Sequence, residues 1–363
     1  MSKYLLKRIA LAILTLFIIL IFSYTLIVSF IENPFTIQLE QAKTPQDKEN
    51  FRRLAEIYNN TPVFTKIVTY FSNFFKGDFG QTFFIKNDYK TIPGLFFAPL
   101  KWSILVSLPS FILSSVLGIS LGVFAGYKRG TIWDSIINVF VFIFVAIPSF
   151  IIAPLLINLF SQSGFPIRFI APGENYSSGK ATIWTSLYSL IPAIIVVTFG
   201  SLAVYTLYTR NQTVTVLTSN YILIAKTKGL NSRQIFFKYV LRNISIPLIA
   251  LILPSYIGLL SGSIVIEKFW GIPGSSSIIA QAFPAGEINV VMFNIFFFTS
   301  LSLFTEIIVD ISFTILDPRI VYESNSGIDL LRFIRAAKSR KQQIKELLKQ
   351  QNEQKTNFAR IGE

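Results

Sequence analysis

The feature that most constrains this chain is a run of uncharged, mostly apolar residues at positions 9–30. As a helix, these 22 residues extend roughly 33 Å, which is enough to cross the hydrocarbon core of a bilayer. A secretory signal peptide is the alternative interpretation. The run is longer than the central region of such peptides, however, and no small-x-small cleavage pattern follows it. The sequence therefore predicts a retained transmembrane helix.

Similar apolar segments predict five further transmembrane helices, which lie at residues 103–127, from Trp133 onward, and at residues 187–209, 247–266 and 290–316. With 52% hydrophobic residues and a mean hydropathy of +0.56, most helices of this chain would be apolar on every side, which excludes a soluble globular domain. The predicted fold class is an all-α polytopic membrane protein with six transmembrane helices.

The connections between these helices predict the organisation of the chain and its orientation. Twenty-one of the 33 Lys and Arg residues fall in the segments on the side of the N-terminus, and the short loops of the other side hold three. By the positive-inside rule, both termini are cytoplasmic. The predicted parts are an N-terminal segment and first helix (1–30), an extracytoplasmic segment with an amphipathic helix near residues 48–58 (31–101), a membrane core with a cytoplasmic loop at 210–246 (102–320), and a cytoplasmic tail (321–363).

The tail is basic and carries an amphipathic stripe formed by Leu330, Ile334, Ala337, Ile344 and Leu348. A helix lying on the anionic inner leaflet is the favoured interpretation, because each basic residue near that surface contributes ~1 kcal/mol. Nucleic-acid binding is a weak alternative for the net charge of +14. The positive-inside rule explains that charge more simply, so no nucleic-acid partner is predicted.

The cytoplasmic loop has a local pattern of its own. Gly229 supplies the left-handed position that ends a first helix, and Asn231 with Gln234 forms a capping box that starts a second one. Basic residues surround this pair of helices at Lys226, Lys228, Arg233, Lys238 and Arg242. The pattern predicts two short amphipathic helices joined by a glycine turn.

Missing residue types exclude several kinds of chemistry. The chain has no Cys and no His, which removes thiolate nucleophiles, Ser/His pairs and the usual zinc sites. The segment from Gly173 to Lys180 resembles a phosphate-binding loop, but it has one residue too many between its glycines, and Ala181 stands where a Ser or Thr would hold magnesium. We therefore assign no catalytic residue, metal site or cofactor to this chain.

The cytoplasmic loop resembles a known family. Tyr221-x3-Ala225-Lys226-x-Lys228-Gly229-Leu230, followed by Leu241-Arg242-Asn243-x3-Pro247, is similar to the EAA loop of permease subunits of ABC importers, in its dipeptide/oligopeptide variant. Leu223 and Ile224 replace the Glu and Ala of the general motif, and Asn220 replaces the Asp usual in the peptide variant.

The resemblance implies a type I ABC importer permease in a bacterial-type cytoplasmic membrane. Its loop would dock onto a cytoplasmic ATPase, so the coupling residues carried over are Tyr221, Ala225, Lys226, Lys228, Gly229, Leu230, Arg242 and Asn243. The implied partners are a second homologous permease that forms a heterodimer, two cytoplasmic ABC ATPases, an extracytoplasmic substrate-binding protein and a peptide substrate. The chain itself would be a transport subunit and not an enzyme.

Four further segments are similar to this family: residues 74–82 with Gly77, Asp78 and Gly80, residues 147–150, the stretch from residue 262 to Gly274, and residues 317–320. The third is a short re-entrant hairpin in family members, where Ser276 here replaces a usual glycine. Residues in two of these segments are candidates for lining the translocation path: Pro148, Ser149, Glu267, Pro273 and Gly274.

Small residues predict two places where helices pack closely. Gly118, Gly122 and Gly126 recur every four residues in the second predicted helix, and Gly258 and Gly262 form a second pair in the fifth. Such spacing lets two helix backbones approach each other. We expect these faces to serve packing more than transport.

Glu306 and Asp310 lie one turn apart in the sixth predicted helix. A carboxylate at membrane depth costs ~2.5–3.5 kcal/mol on insertion scales, so both should face protein or water. A proton relay is one interpretation. A structural hydrogen bond, or a pair with a nearby Arg or Lys, is the one we favour.

Two other functions remain open from the sequence. A permease for a nickel complex would belong to the same family, although the lack of His disfavours metal binding by this subunit. An ATPase-independent secondary transporter would need charged groups along several transmembrane helices, and the sequence offers them essentially only in the sixth.

Overall fold

The computed structural model describes residues 2–83, 89, 91–176, 179–261, 264–316, 336 and 338–345. These residues form helices and one two-stranded hairpin. The helices are α1 (Ser2–Phe30), α2 (Pro34–Gln41), α3 (Pro45–Asn60), α4 (Val63–Phe75), α5 (Ile92–Tyr127), α6 (Ile132–Ala146), α7 (Ser149–Gln162), α8 (Ile183–Leu217), α9 (Asn220–Thr227), α10 (Ser232–Ile235), α11 (Leu241–Ser261), α12 (Ile264–Trp270), α13 (Ser275–Ala282) and α14 (Ile288–Leu316). A π-helical turn, Phe236–Val240, joins α10 to α11.

The helices confirm an all-α polytopic membrane protein. Five described helical stretches are long and apolar enough to cross a membrane, at Tyr4–Phe30, Ile92–Tyr127, Ile183–Leu217, Ser232–Ser261 and Ile288–Leu316. A sixth crossing results if Ile132–Ala146 and Ile151–Gln162, which meet at a bend of 108°, count as one broken span. The break lies at Pro148, which precedes the first residue of α7 and, as a proline, cannot donate a backbone hydrogen bond to continue α6.

The predicted bounds of three spans differ from the observed helices. α5 begins at Ile92 and continues through Pro99 and Pro109, well before the expected start at residue 103. α8 continues to Leu217 past the expected end at residue 209. Pro247 does not begin the fifth span, because the helix is already continuous from Ser232 to Ser261.

The described residues between positions 8 and 320 form one compact unit, and the described residues of 1–7 and 321–363 belong to another. In the larger unit, α5 packs along α8, and α11 packs against α14. In the smaller unit, residues 338–345 are helical and Ile344 is exposed. Leu330, Ile334, Ala337 and Leu348 of the predicted tail stripe lie outside the described residues, as do residues 317–320.

Two of the connections have their own structure. Residues 31–91 contain α2, α3 and α4, and the amphipathic helix expected near residues 48–58 is α3. Thr44 caps α3 by accepting a hydrogen bond from the N–H of Asp47, and Pro45 stands at its first position. Within the segment that resembles a phosphate-binding loop, β1 (Asn175–Tyr176) pairs antiparallel with β2 (Gly179–Lys180).

Candidate functional site

The glycine turn of the predicted coupling loop has the expected conformation. Gly229 has φ +76°, so its left-handed position is confirmed. The N–H of Gly229 donates to the carbonyl of Lys226 at 2.9 Å, and the N–H of Leu230 donates to the carbonyl of Ala225 at 3.2 Å. These two bonds form a Schellman motif, which satisfies the last carbonyls of α9.

The second helix of the loop starts with the predicted capping box. The N–H of Gln234 donates to the Asn231 side chain at 2.9 Å, and the N–H of Asn231 donates to the Gln234 side chain at 3.0 Å. The expectation that this helix is short and separate is wrong. The chain passes through the π turn directly into α11. The second helix of the loop, α10, and the fifth span therefore form one continuous helical rod from Ser232 to Ser261.

A hydrophobic cluster fixes the loop to the ends of two spans. Ile222 and Ala225 of α9 are buried with Ile235 of α10. The same cluster contains Val216 at the end of α8, Ile244 in α11, and Leu230 at its edge. A displacement of α9 must therefore act on both α8 and α11, because close-packed cores transmit strain.

The remaining predicted coupling residues lie at the surface of this element. Tyr221 stacks on Tyr239 with ring centroids 6.4 Å apart, and the Asn243 side chain donates to the carbonyl of Tyr239 at 2.6 Å. The exposed residues of this element include three apolar side chains, Leu223, Ile224 and Phe237, and five basic ones, which are Lys226, Lys228, Arg233, Lys238 and Arg242. We call these eight residues the coupling surface.

A salt bridge that the sequence reasoning missed lies beside this element. The Arg210 guanidinium donates from Nε to Asp134 Oδ1 at 2.6 Å and from Nη2 to Oδ2 at 2.8 Å. Asp134 also accepts from the N–H of Gly130 and the Asn138 side chain. The sequence signal that could have predicted this pair is an acidic residue, Asp134, in the first turn of α6, shortly after the basic residue Lys128. The pair ties the α5–α6 turn to α8.

Glu267 was a candidate for the translocation path, but the structure buries it completely. Its carboxylate accepts from Ser103 Oγ at 2.7 Å and from the N–H of Ser277 at 3.1 Å. Ser103 Oγ in turn accepts from the N–H of Ser275 at 2.9 Å. Glu267 therefore fastens the α12–α13 hairpin to α5, and it does not line the cavities of about 640, 460 and 340 Å³ that other described residues form.

The other path candidates have different surroundings. A Cβ on Gly274 would lie 2.3 to 2.5 Å from the Glu267 carboxyl group, so Gly274 is required for the close approach of that side chain. Pro273 and Pro148 are exposed. Ser149 begins α7, and its side chain lies outside the described part of the chain.

The two predicted glycine faces also differ. Gly118, Gly122 and Gly126 all face α8, and a Cβ on any of them would lie 2.5 to 2.8 Å from an α8 side chain. Gly258, in contrast, has no heavy atom within 4 Å of such a Cβ. It is therefore not in a close helix contact within the described chain, contrary to the expectation. Gly262 lies outside the described residues.

The two acidic residues of the last span, Glu306 and Asp310, have different surroundings. Asp310 accepts from Arg8 Nε at 2.6 Å, which confirms the expected pairing with a basic residue. Glu306 and Gly258 line a cavity of about 640 Å³ between α1, α11 and α14, together with Arg8, Thr15, Ser261, Thr299 and Ser302. Glu306 thus faces a partly polar space, as a carboxylate at membrane depth requires.

The long apolar helices and the folded loop beside them define a multi-pass membrane protein of the transport-permease class. The chain belongs to the family described as "Binding-protein-dependent transport system inner membrane component", whose model matches residues 118–322. The matched part extends from the glycine face of α5 beyond the end of α14 and includes the coupling surface.

Relatives of similar length support this membership. The chain is 32% identical to the oligopeptide transport system permease protein OppB of Salmonella typhimurium over 326 residues, which cover 89% of this chain and 100% of that protein. It is 31% identical to OppB of Mycoplasma genitalium over 344 residues, 94% of this chain and 82% of the relative. The dipeptide transport system permease protein DppB of Lactococcus lactis is 29% identical over 322 residues, 88% of this chain and 99% of that protein.

Proposed function

We propose that this chain is the membrane-spanning permease subunit of an ATP-driven importer of oligopeptides or dipeptides in the cytoplasmic membrane. The relatives' names support the peptide class, and the similarity covers nearly their whole length. ATP hydrolysis belongs to partner subunits, two ABC ATPases on the cytoplasmic side. A second homologous permease and an extracytoplasmic substrate-binding protein complete the complex.

The observation that carries the proposal is the structure of the coupling surface. Its exposed apolar side chains and its basic residues suit a protein groove that offers both apolar area and acidic groups. Leu223 and Ile224 are two of these exposed apolar residues, at the positions where related permeases carry the Glu and Ala of the motif. The contact in this protein therefore depends on apolar area and on acidic groups of the ATPase.

The same element explains how movement of an ATPase reaches the membrane. Gly229 and the capping box hold α9 and α10 at a fixed angle, and α10 is continuous with the fifth span up to Ser261. A push on the coupling surface is transmitted along this rod to the end of α11, next to the α12–α13 hairpin. Pro148 and Pro273, both exposed, stay proposed residues of the path that this movement opens.

The proposal is tested by Gly229→Val in the assembled complex in proteoliposomes. Nothing lies within 4 Å of a Cβ at Gly229, so the change adds backbone strain and no steric clash with a neighbour. A left-handed conformation costs an L-residue roughly 1–2 kcal/mol, and a β-branched residue more. We expect ATP-dependent peptide uptake to fall at least tenfold while insertion and assembly of the permeases stay normal. Gly229→Ala should be intermediate.

The matched control is Gly164→Val, because Gly164 has φ +75° and equally open surroundings in a turn away from the coupling surface. It should retain uptake. Normal uptake by Gly229→Val at equal expression would show that the loop is not the transmission element. Uptake driven by an ion gradient without ATP would instead support a secondary transporter, and competition by nickel complexes but not peptides would place the chain among nickel permeases.

A further inference from the structure

The connection between α1 and α5 contains a helix with an unusual surface. α4 carries Phe64, Val68, Phe71 and Phe75 on one stripe, with spacings of four, three and four residues. Phe64 is 75% exposed, Val68 51% and Phe75 67%, and none of the residues of α4 is buried. In water, such a stripe would be a large unprotected apolar face.

The position of α4 beside α1 gives its depth. The Phe17 ring of α1 lies 6.3 Å from the Phe71 ring and 5.6 Å from the Phe75 ring. The membrane-span candidate in α1 covers Tyr4–Phe30, 27 residues, whereas a hydrocarbon core of ~30 Å needs about 20. Wherever those 20 residues are placed within the candidate, Phe17 is at least about 9 Å from either edge of the hydrocarbon. The Phe71 and Phe75 rings therefore lie inside the hydrocarbon layer.

A second ring contact gives the direction of α4. Tyr24 of α1 stacks on Tyr70 with centroids 4.6 Å apart, and Tyr24 lies about 10 Å along α1 from Phe17. α4 thus runs antiparallel to α1, with Phe75 deeper than Tyr70. The chain then turns at Gly77 and Gly80 and returns to the start of α14, where the Asn289 side chain donates to the carbonyl of Gln81. This path is that of a re-entrant segment.

The opposite face of α4 is polar and has a different environment. Lys66, Thr69 and Asn73 line a cavity of about 460 Å³, which Tyr58 of α3 and Asp78 also border. The Lys66 ammonium lies 3.4 Å from the centre of the Tyr58 ring. Asp78 therefore borders a partly polar cavity and not lipid, as an ionisable group near the membrane requires.

We propose that α4 is a re-entrant amphipathic helix that enters the bilayer from the side where α1 ends, with lipid acyl chains covering Phe64, Val68 and Phe75. Lipid is the occupant because this stripe continues the exposed apolar surface of α1, at Ile18, Ile21 and Phe22, beside the Phe17 contact. The inference does not depend on the transported substrate. It replaces the expectation that residues 31–101 lie wholly outside the membrane.

The experiment uses the absence of Cys in the natural chain. Single nitroxide labels at Phe64→Cys, Val68→Cys and Phe75→Cys are compared with labels at Asn73→Cys on the cavity face and Glu49→Cys on α3. Collision rates with oxygen, which partitions into lipid, and with a water-soluble nickel chelate are measured in proteoliposomes of the assembled complex. Val68 and Phe75 labels should collide frequently with oxygen and at least tenfold less with the chelate than the Glu49 label does.

The depth derived from the two collision rates should increase from residue 64 to 68 to 75, and the Asn73 label should be accessible to the chelate. Equal depth at the three stripe positions would overturn the re-entrant geometry. Chelate access at Val68 and Phe75 would show that α4 lies in water. Low collision with both reagents would mean that a protein partner, and not lipid, covers the stripe. Val68→Cys is a small change at an exposed site, which keeps the measurement possible if a Phe variant does not fold.

Discussion

At the scale of single residues, the close contact between α5 and α8 depends on the absence of a side chain. A Cβ on Gly122 of α5 would lie 2.5 Å from Thr209 Cβ and 2.6 Å from the Thr206 carbonyl oxygen. Backbone atoms and a β-branched side chain cannot move aside easily. We expect Gly122→Ala to destabilise the protein by ~1–3 kcal/mol through overpacking, measured as a lower midpoint of thermal unfolding of the detergent-solubilised chain.

Gly258→Ala is the matched control, because Gly258 also lies within an apolar helix but a Cβ there meets open space. Its unfolding midpoint should equal or slightly exceed that of the natural chain, since Ala favours the helix over Gly by about 1 kcal/mol. Equal loss in both variants would mean that the α5–α8 contact is not the cause. The sequence shows the same glycine spacing at both places and cannot distinguish them, because the difference depends on what lies opposite.

At the scale of elements, the sequence predicted local signals well and the ends of helices less well. The φ of Gly229 and the Asn231–Gln234 capping box follow from short-range chemistry, and both were predicted. The extension of α8 to Leu217 and the passage of α11 through Pro247 were not predicted. Packing in the cluster around Ile222 and Ile244 stabilises these helical turns, and a proline is tolerated in membrane helices when neighbouring groups satisfy the backbone.

The ion pair between α6 and α8 shows the same limit, because two charges 76 positions apart have no recognisable spacing. The Asp134 and Arg210 side chains are only 7% and 20% exposed. Removing one partner leaves a mostly buried charge, so Asp134→Asn should lower stability by about 3 kcal/mol. The reversed pair, Asp134→Arg with Arg210→Asp, should recover part of the loss. Thermal unfolding of the single and double variants measures this coupling.

Glu174→Gln is the control for the Asp134 variants, because it also removes the charge of one partner in an ion pair. Glu174 accepts from Arg168 at 2.6 Å in an exposed loop, where ion pairs contribute little because water and salt screen them. Its unfolding midpoint should hardly change. If Asp134→Asn were equally neutral, the α6–α8 pair would not hold the turn at Gly130 against α8.

At the scale of the whole molecule, the orientation in the membrane decides whether the coupling surface can meet an ATPase. We propose six spans with both termini and the coupling surface on the cytoplasmic side, where most of the Lys and Arg residues outside the long first connection fall. α6 and α7 must then cross as one broken span. If α6 and α7 form two crossings or none, every later segment lies on the opposite side of the membrane.

Single cysteines in the naturally Cys-free chain test this arrangement. Ser232→Cys lies on exposed α10, Ser339→Cys in the tail, and Asn175→Cys on the exposed strand β1. In intact cells, an impermeant thiol reagent should label only the Asn175 variant, and permeabilisation should expose the other two. Labelling of Ser232→Cys from outside would contradict the six-span arrangement. Because α10 is the start of the rod that includes α11, that result would also place the whole coupling surface out of reach of any cytoplasmic ATPase.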